Sequence, residues 1–254
     1  MGNMMLRMSA LLAALAMGSS AMAQAAAATP TARWEFDIAP YVLFPTMQGT
    51  NTVGNLPTLS INAGAGEIFS HLQGGAMLYL QARKGSWAFA TDVIYMKLGM
   101  DINPDGKWVA GSATYKQGAW EGFLFYRVTP KFEVGLGGLG NKIDVELNGT
   151  VPPGATPTSG STSVSWGMPV LAARWSPING AHWTGVLFAD LGGTSGDNQT
   201  WQVMPSVGYK FGKTFELALQ YRYIAIDYQT GSGVDFFQYR MNIFGPQVGF
   251  LFHL

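Results

Sequence analysis

Between Thr214 and Leu254 apolar and polar positions alternate in two long runs separated by a polar loop. In the first run Phe215, Leu217, Leu219, Tyr221 and Tyr223 share one face, and Glu216, Ala218, Gln220 and Arg222 share the other. In the second, Phe244, Pro246, Val248, Phe250, Phe252 and Leu254 oppose Gly245, Gln247, Gly249, Leu251 and His253. A period of two is the signature of a half-buried strand. Each run holds its pattern for about ten residues, the length a tilted strand needs to cross a bilayer, and its apolar side is rich in the aromatics of membrane interfaces. A terminal strand with so apolar a face frays unless a neighbour holds it. The pattern predicts the closing hairpin of an outer-membrane barrel.

The same alternation predicts further strands over residues 33–45, 73–83, 87–100, 112–128, 132–147, 164–176, 182–193 and 199–211. Pro40 inside the first argues against a central soluble strand, and a bulge would accommodate it. Short turns are expected at Lys84-Gly85-Ser86, 129–131, 177–181 and Gly212-Lys213. Longer connections fall at 46–72, with a short strand at 58–62 and a helical turn near 67–72, at 97–111, and at 148–163. Asn103-Pro104-Asp105-Gly106 is a strong turn signal, and the Gly-, Asn- and Ser-rich stretches 48–55 and 152–163 read as exposed loops. Short and long connections in alternation predict an all-β fold: a transmembrane up-and-down antiparallel β-barrel of about ten strands, with short periplasmic turns and longer outer loops.

Composition sharpens this picture. The chain is 48% apolar and 13% aromatic, with 33 glycines, yet only 12% charged, about half the charge of ordinary soluble domains. A soluble barrel of the lipocalin kind would show the same period with its faces reversed, but its wet face would be dense in Lys and Glu. Here the polar face is mostly Gly, Ala, Ser, Gln and Tyr, which suits a narrow lumen. Trp34, Trp87, Trp120, Trp183, Trp201 and Phe252 lie where girdle residues are expected. Arg7, the apolar run 11–17 and Ala21-Met22-Ala23 make residues 1–23 a secretory signal peptide, followed by a lead-in over 24–32 and the barrel over 33–254. Zero net charge and no basic run argue against a nucleic-acid partner. With no cysteine, the sequence excludes disulfides, thiol catalysis and thiolate metal sites.

Gln81-Ala82-Arg83-Lys84-Gly85-Ser86-Trp87 with Asp92 and Tyr95, Tyr221-Arg222-Tyr223 with Asp227-Tyr228, and Gly245-Pro246 with Gly249 resemble a family of outer-membrane β-barrel proteins of Gram-negative bacteria that has no assigned reaction. The resemblance spans nearly the whole mature chain, and its motifs are structural. It implies location and fold, a monomer bathed in outer-membrane lipid, and recognition of the C-terminal strand by the barrel assembly machinery. The usual final Phe is Leu254 here, with Phe250 and Phe252 keeping the aromatic alternation.

Candidate chemistry is sparse. Neither a cofactor motif nor a metal or nucleophile signature is present, and the three histidines, His71, His182 and His253, are scattered. Ser70-His71 is the one adjacent nucleophile and base, in a predicted outer loop. The inward charges are more telling: Glu35, Asp37, Asp92, Glu121, Asp190 and Glu216 are set against Arg83, Arg127, Arg174 and Arg222. Ionised groups in a narrow lumen have little bulk water and are driven to pair. Arg222 and Glu216, six residues apart on one face, are separated by about 20 Å at the usual strand rise; Asp37, Glu35 and Glu121 are the expected partners of Arg222. Such a network either plugs the barrel or lines a narrow polar path. The expected function is a non-enzymatic envelope barrel; the alternatives are a surface-loop binding or adhesion protein and a small outer-membrane hydrolase.

Overall fold

The computed structural model describes residues 33–54, 58–102, 110–150, 158–194 and 198–254; the segments expected as signal peptide and lead-in and the turn expected at Asn103 to Gly106 lie outside them. The strands are β1 (Trp34–Leu43), β2 (Thr46–Val53), β3 (Leu59–Ala63), β4 (Leu72–Lys84), β5 (Trp87–Ile102), β6 (Ala110–Thr129), β7 (Phe132–Thr150), β8 (Thr158–Asn179), β9 (Trp183–Gly193), β10 (Gln199–Lys210), β11 (Phe215–Thr230) and β12 (Phe237–His253). A short α-helix, α1 (Ala65–Ser70), precedes β4, and a 3-10 turn at Gly233–Asp235 precedes β12. All pairings are antiparallel, consecutive strands from β4 to β12 are neighbours, and β1 pairs with both β4 and β12. The sheet is therefore a closed ten-strand barrel, in which β1 and β2 are the lower and upper halves of one wall strand along β12. β3 is an extra strand hydrogen-bonded to β2 at the outer end.

The break between β1 and β2 has a chemical cause. Pro45 faces the Gly245-Pro246 step of β12, and two prolines remove two donors from the ladder at one place. Phe44 N–H still donates to Pro246 O at 2.9 Å. A Cβ on Gly245 would collide with Phe44 O, so glycine lets the kinked strand lie close. Pro40, for which a bulge was expected, needs none: the register against β12 is the same before and after it. Gly85, at φ 62°, supplies the left-handed residue of the tight β4–β5 turn.

Side chains place the membrane. Leu219, Leu136, Leu171, Phe89 and Leu124 point outward, each more than half exposed, which only a lipid environment tolerates over so wide a belt. Near the short turns the rings of Trp183, Tyr209, Phe211, Phe215 and Phe252 follow one another with centroids 5.0–5.6 Å apart. A second girdle holds Trp201, Tyr223 and Phe244, with Trp201 stacked on Tyr223 at 5.0 Å and Tyr223 on Phe244 at 5.7 Å. Phe215 and Tyr223 are eight residues apart on β11, or about 26 Å along the strand, which the tilt of a barrel strand reduces to about 20 Å of membrane thickness.

Beyond the second girdle the strands continue but the faces exchange chemistry. On β11 Ile224, Ile226 and Tyr228 now point inward and Asp227 outward; on β12 Phe237, Tyr239 and Met241 point inward and Arg240 outward. Outward charges pair there, Lys116 with Glu146 at 2.7 Å and Arg240 with Asp227 at 3.0 Å. The inner side of this outer half is packed by Trp166, stacked on Tyr228 at 4.9 Å and in contact with Phe237 and Tyr239. Besides carrying β5 to Ile102, paired with β6, through residues expected as part of the 97–111 connection, this extension corrects two loop expectations. Residues 48–53 are not loop but part of β2, held between β12 and β3. Residues 158–163 belong to β8 and pair with β7. Both lack an apolar outer face because no lipid meets them.

Candidate functional site

Arg222 crosses the lumen at the level where the faces change. It rises from β11 and meets groups from four other strands, because in a ten-strand barrel the interior is narrow enough for one extended guanidinium to span it. Its Nη1 donates to Asp92 Oδ2 at 2.7 Å, its Nη2 to Glu121 Oε2 at 3.0 Å, and its Nε to Gln202 Oε1 at 2.5 Å. Tyr41 completes the ring, its hydroxyl donating to Asp92 at 2.6 Å while accepting from Arg222 Nη1 at 3.4 Å. Gln202 extends the layer by donating through Nε2 to Asp190 at 2.8 Å and to Glu121 at 3.3 Å. Arg222, Glu121, Gln202 and Asp190 are all buried. One cation thus sits among three carboxylates, and the amide of Gln202 carries the contact to the farthest of them.

A cavity of about 340 Å³ runs from this layer toward the short turns, reaching Lys131 and Lys210. Its mouth has two unlike arcs. In one, from β4 to β8, Arg83, Arg127 and Arg174 converge on Glu133: Arg83 Nη2 lies 2.6 Å and Arg127 Nε 3.2 Å from Oε1. Arg174 Nη1 is 3.4 Å from Oε2, close enough for charge attraction, but its hydrogen bond goes to Gln81 Oε1 at 2.6 Å; among the described residues Oε2 itself has no hydrogen-bond partner. The Arg174 guanidinium also lies 4.1 Å from the Phe125 ring centroid, a cation–π placement. In the other arc His253 joins β12 to β1 and β11, with Nδ1 2.7 Å from Asp37 Oδ1 and Nε2 3.3 Å from Glu216 Oε2. Thr184 donates to Glu216 and Gln81 to Asp37 at 2.7 Å.

The inward charges therefore fall into two layers. Arg222, Asp92, Glu121 and Asp190 meet at mid-barrel; Arg83, Arg127, Arg174, Asp37 and Glu216 surround the mouth. Glu35 joins neither: it is exposed at the rim and has no ion pair among the described residues. Of the partners expected for Arg222, Glu121 is present, whereas Asp37 and Glu35 lie too near the rim, and Asp92 takes their place. Glu216 and Arg222 do not pair with each other. Glu133, Gln202, Tyr41, Gln81 and His253 were not anticipated. Glu133 is the second residue of β7, on the face opposite Phe132, Val134 and Leu136, so alternation could have found it, whereas neutral Gln and Tyr carry no charge signal.

Ser70 and His71 close α1 on the outer side. Ser70 Oγ is 3.1 Å from His71 Nδ1, but both also bind Glu67 O, at 2.7 and 2.9 Å. An Nδ1–H spent on that carbonyl cannot accept the serine proton. Among the described residues no group of three or more His, Asp or Glu could hold a metal ion.

No protein-family model and no curated protein matches the sequence. Among solved structures the barrel superposes on the outer membrane protease OmpT of Escherichia coli with a TM-score of 0.53 at 10% identity, covering 90% of this chain and 99% of that one. It also aligns with Ail, the attachment invasion locus protein of Yersinia pestis, at a TM-score of 0.38 and 10% identity, over 87% of this chain and 98% of that one. The chain has the fold of the outer-membrane β-barrels of Gram-negative bacteria, and its lipid-facing belt places it in the outer membrane.

Proposed function

We infer that the protein is a non-enzymatic component of the outer membrane whose barrel does not conduct, and whose polar outer half carries its connecting loops clear of the lipid. The observation that carries this reading is the Arg222 layer, in which one guanidinium reaches across the lumen to bond to Asp92, Glu121 and Gln202 from three strands. Above it the packed aromatic cluster around Trp166 supports a second closure. Of the two roles open to inward charges, plugging and lining a path, the pairing favours the first. The test is single-channel recording of the refolded protein in planar bilayers: the baseline is expected to stay flat, and regular current steps would overturn the reading. Labelling of Ser70 by a fluorophosphonate would overturn its non-enzymatic part.

Surface binding is the second reading, favoured by the outer half itself. A barrel segment with paired surface charges and an apolar core is a rigid base for loops, which lowers the ordering cost of binding. Replacing the loops with short Gly-Ser turns should leave the barrel folded and remove any attachment that whole cells show.

A further inference from the structure

We propose that the cavity at the short-turn end is a binding site for a small organic carboxylate with an apolar body, entered from the periplasm and seated on the arginine arc of β4, β6 and β8. The proposal goes beyond the closed-barrel reading and does not depend on it, because the site is defined by the mouth alone.

Charge accounting at the mouth is uneven. The acidic arc is satisfied, by His253 and Thr184 and by Gln81 of β4, which also accepts from Arg174. The arginine arc is not: three guanidinium groups share the single carboxylate of Glu133. Arg83 is only 8% exposed and among the described residues its Nη1 has no hydrogen-bond partner, while Arg127 binds Glu133 through Nε. A buried guanidinium nitrogen without an acceptor is costly, since removal from water is not offset by a new bond. An incoming carboxylate supplies that acceptor once Arg83 turns its closed-off Nη1 toward the cavity, and the planar fork of arginine matches its two oxygens. Lys131 and Lys210, whose ammonium groups have no carboxylate partner among the described residues and bond to Pro177 O and Asn179 Oδ1, add positive charge at the entrance.

Beside the arc the wall turns apolar. Phe123, Phe125 and Phe188 meet edge-on or tilted with centroids 5.5–6.5 Å apart, and all three line the cavity. A convergent charged end, an aromatic wall and a volume of about 340 Å³ describe a site at the small end of the ligand-pocket range. Inorganic phosphate would use the charge and leave the wall empty; a neutral aromatic would do the reverse.

Calorimetry on protein in lipid nanodiscs, where no detergent monomer can fill the site, tests this with 4-phenylbutyrate as the probe. The acid is expected to bind, with 4-phenylbutyramide and inorganic phosphate at least tenfold weaker. Arg83→Met, which keeps the stem and removes the charge, should weaken the acid at least tenfold. Met204→Trp, which fills the cavity while leaving every arginine in place, should do the same, and it stands as the test if Arg83→Met loses the heat-modifiable folded form. Equal binding of acid and amide, equal binding of phosphate, undiminished binding by a folded variant, or no heat with millimolar acid would each overturn the proposal.

Discussion

The membrane half and the outer half of this barrel are built from the same continuous strands, yet they are inside-out versions of one another. On β11 the lipid half shows Phe215, Leu217 and Leu219 outside and Glu216 and Arg222 inside; a few residues on, Asp227 is outside and Ile224 and Ile226 are inside. Backbone geometry does not change between the two, since side chains go on alternating at every residue. What changes is the solvent. Lipid rewards an apolar exterior and lets polar groups gather in the lumen, whereas water beyond the headgroups rewards the arrangement of a soluble protein, with an apolar core. The switch at Tyr223 and Ile224 therefore marks the edge of the membrane on the chain itself.

Substitutions can break each half by its own rule. Arg222 sits at the junction, and Arg222→Ala should have the largest effect: it strands Asp92 and Glu121, at a cost of about 3 to 5 kcal/mol for a buried pair. The unfolding midpoint in detergent should drop while bilayer recordings stay flat; a new conductance with unchanged stability would show instead that Arg222 lines a pore. Trp166→Ala tests the outer core, where loss of a buried Trp costs about 3 to 5 kcal/mol. Proteolysis of intact cells should then cut the outer half while the membrane half stays protected.

Leu219→Arg, midway between the two girdles, should lose about 2 to 4 kcal/mol and insert poorly, the cost of a charge facing lipid. Ser163→Arg, outward on the outer half of β8, should insert like the parent chain. Equal tolerance at both positions, read from outer-membrane yield and heat-modifiable migration, would mean that the membrane is placed wrongly. Smallest of all, Arg240→Ala removes an exposed pair with Asp227 and should change stability by less than about 1 kcal/mol; a larger shift in the melting curve would show that the outer half relies on its surface charges rather than its core.

Sequence reading recovered the lipid half well and the outer half poorly, for one physical cause. Leu217, Leu219, Phe250 and Phe252 were legible because a bilayer demands an unbroken apolar face. Beyond it the apolar residues change sides, so a reader following one face sees the strand stop. Residues 158–163, Thr-Ser-Gly-Ser-Thr-Ser, carry no apolar side chain on either face, and Thr46–Val53 carries few, so neither gave a strand signal. For the site, alternation alone sent Arg222, Asp92, Glu121 and Asp190 inward, but not to one level. Level depends on the stagger between strands, which a single strand does not encode. Asp37 was accordingly paired with Arg222, although its height along β1 brings it to His253.

The seam of this barrel has a consequence for how the molecule is made. β1 and β2 find their permanent neighbour in β12, which begins only at Phe237, with the remaining wall strands lying between them in the chain. Until that neighbour arrives, the first strand keeps an open row of backbone donors and acceptors beside the oily side chains of Trp34, Phe36, Val42 and Phe44, a template on which another chain could pair. Closure of so distant a contact is intrinsically slow. The nascent wall is thus most vulnerable at its oldest edge, where Trp34 to Phe44 wait for a neighbour made last.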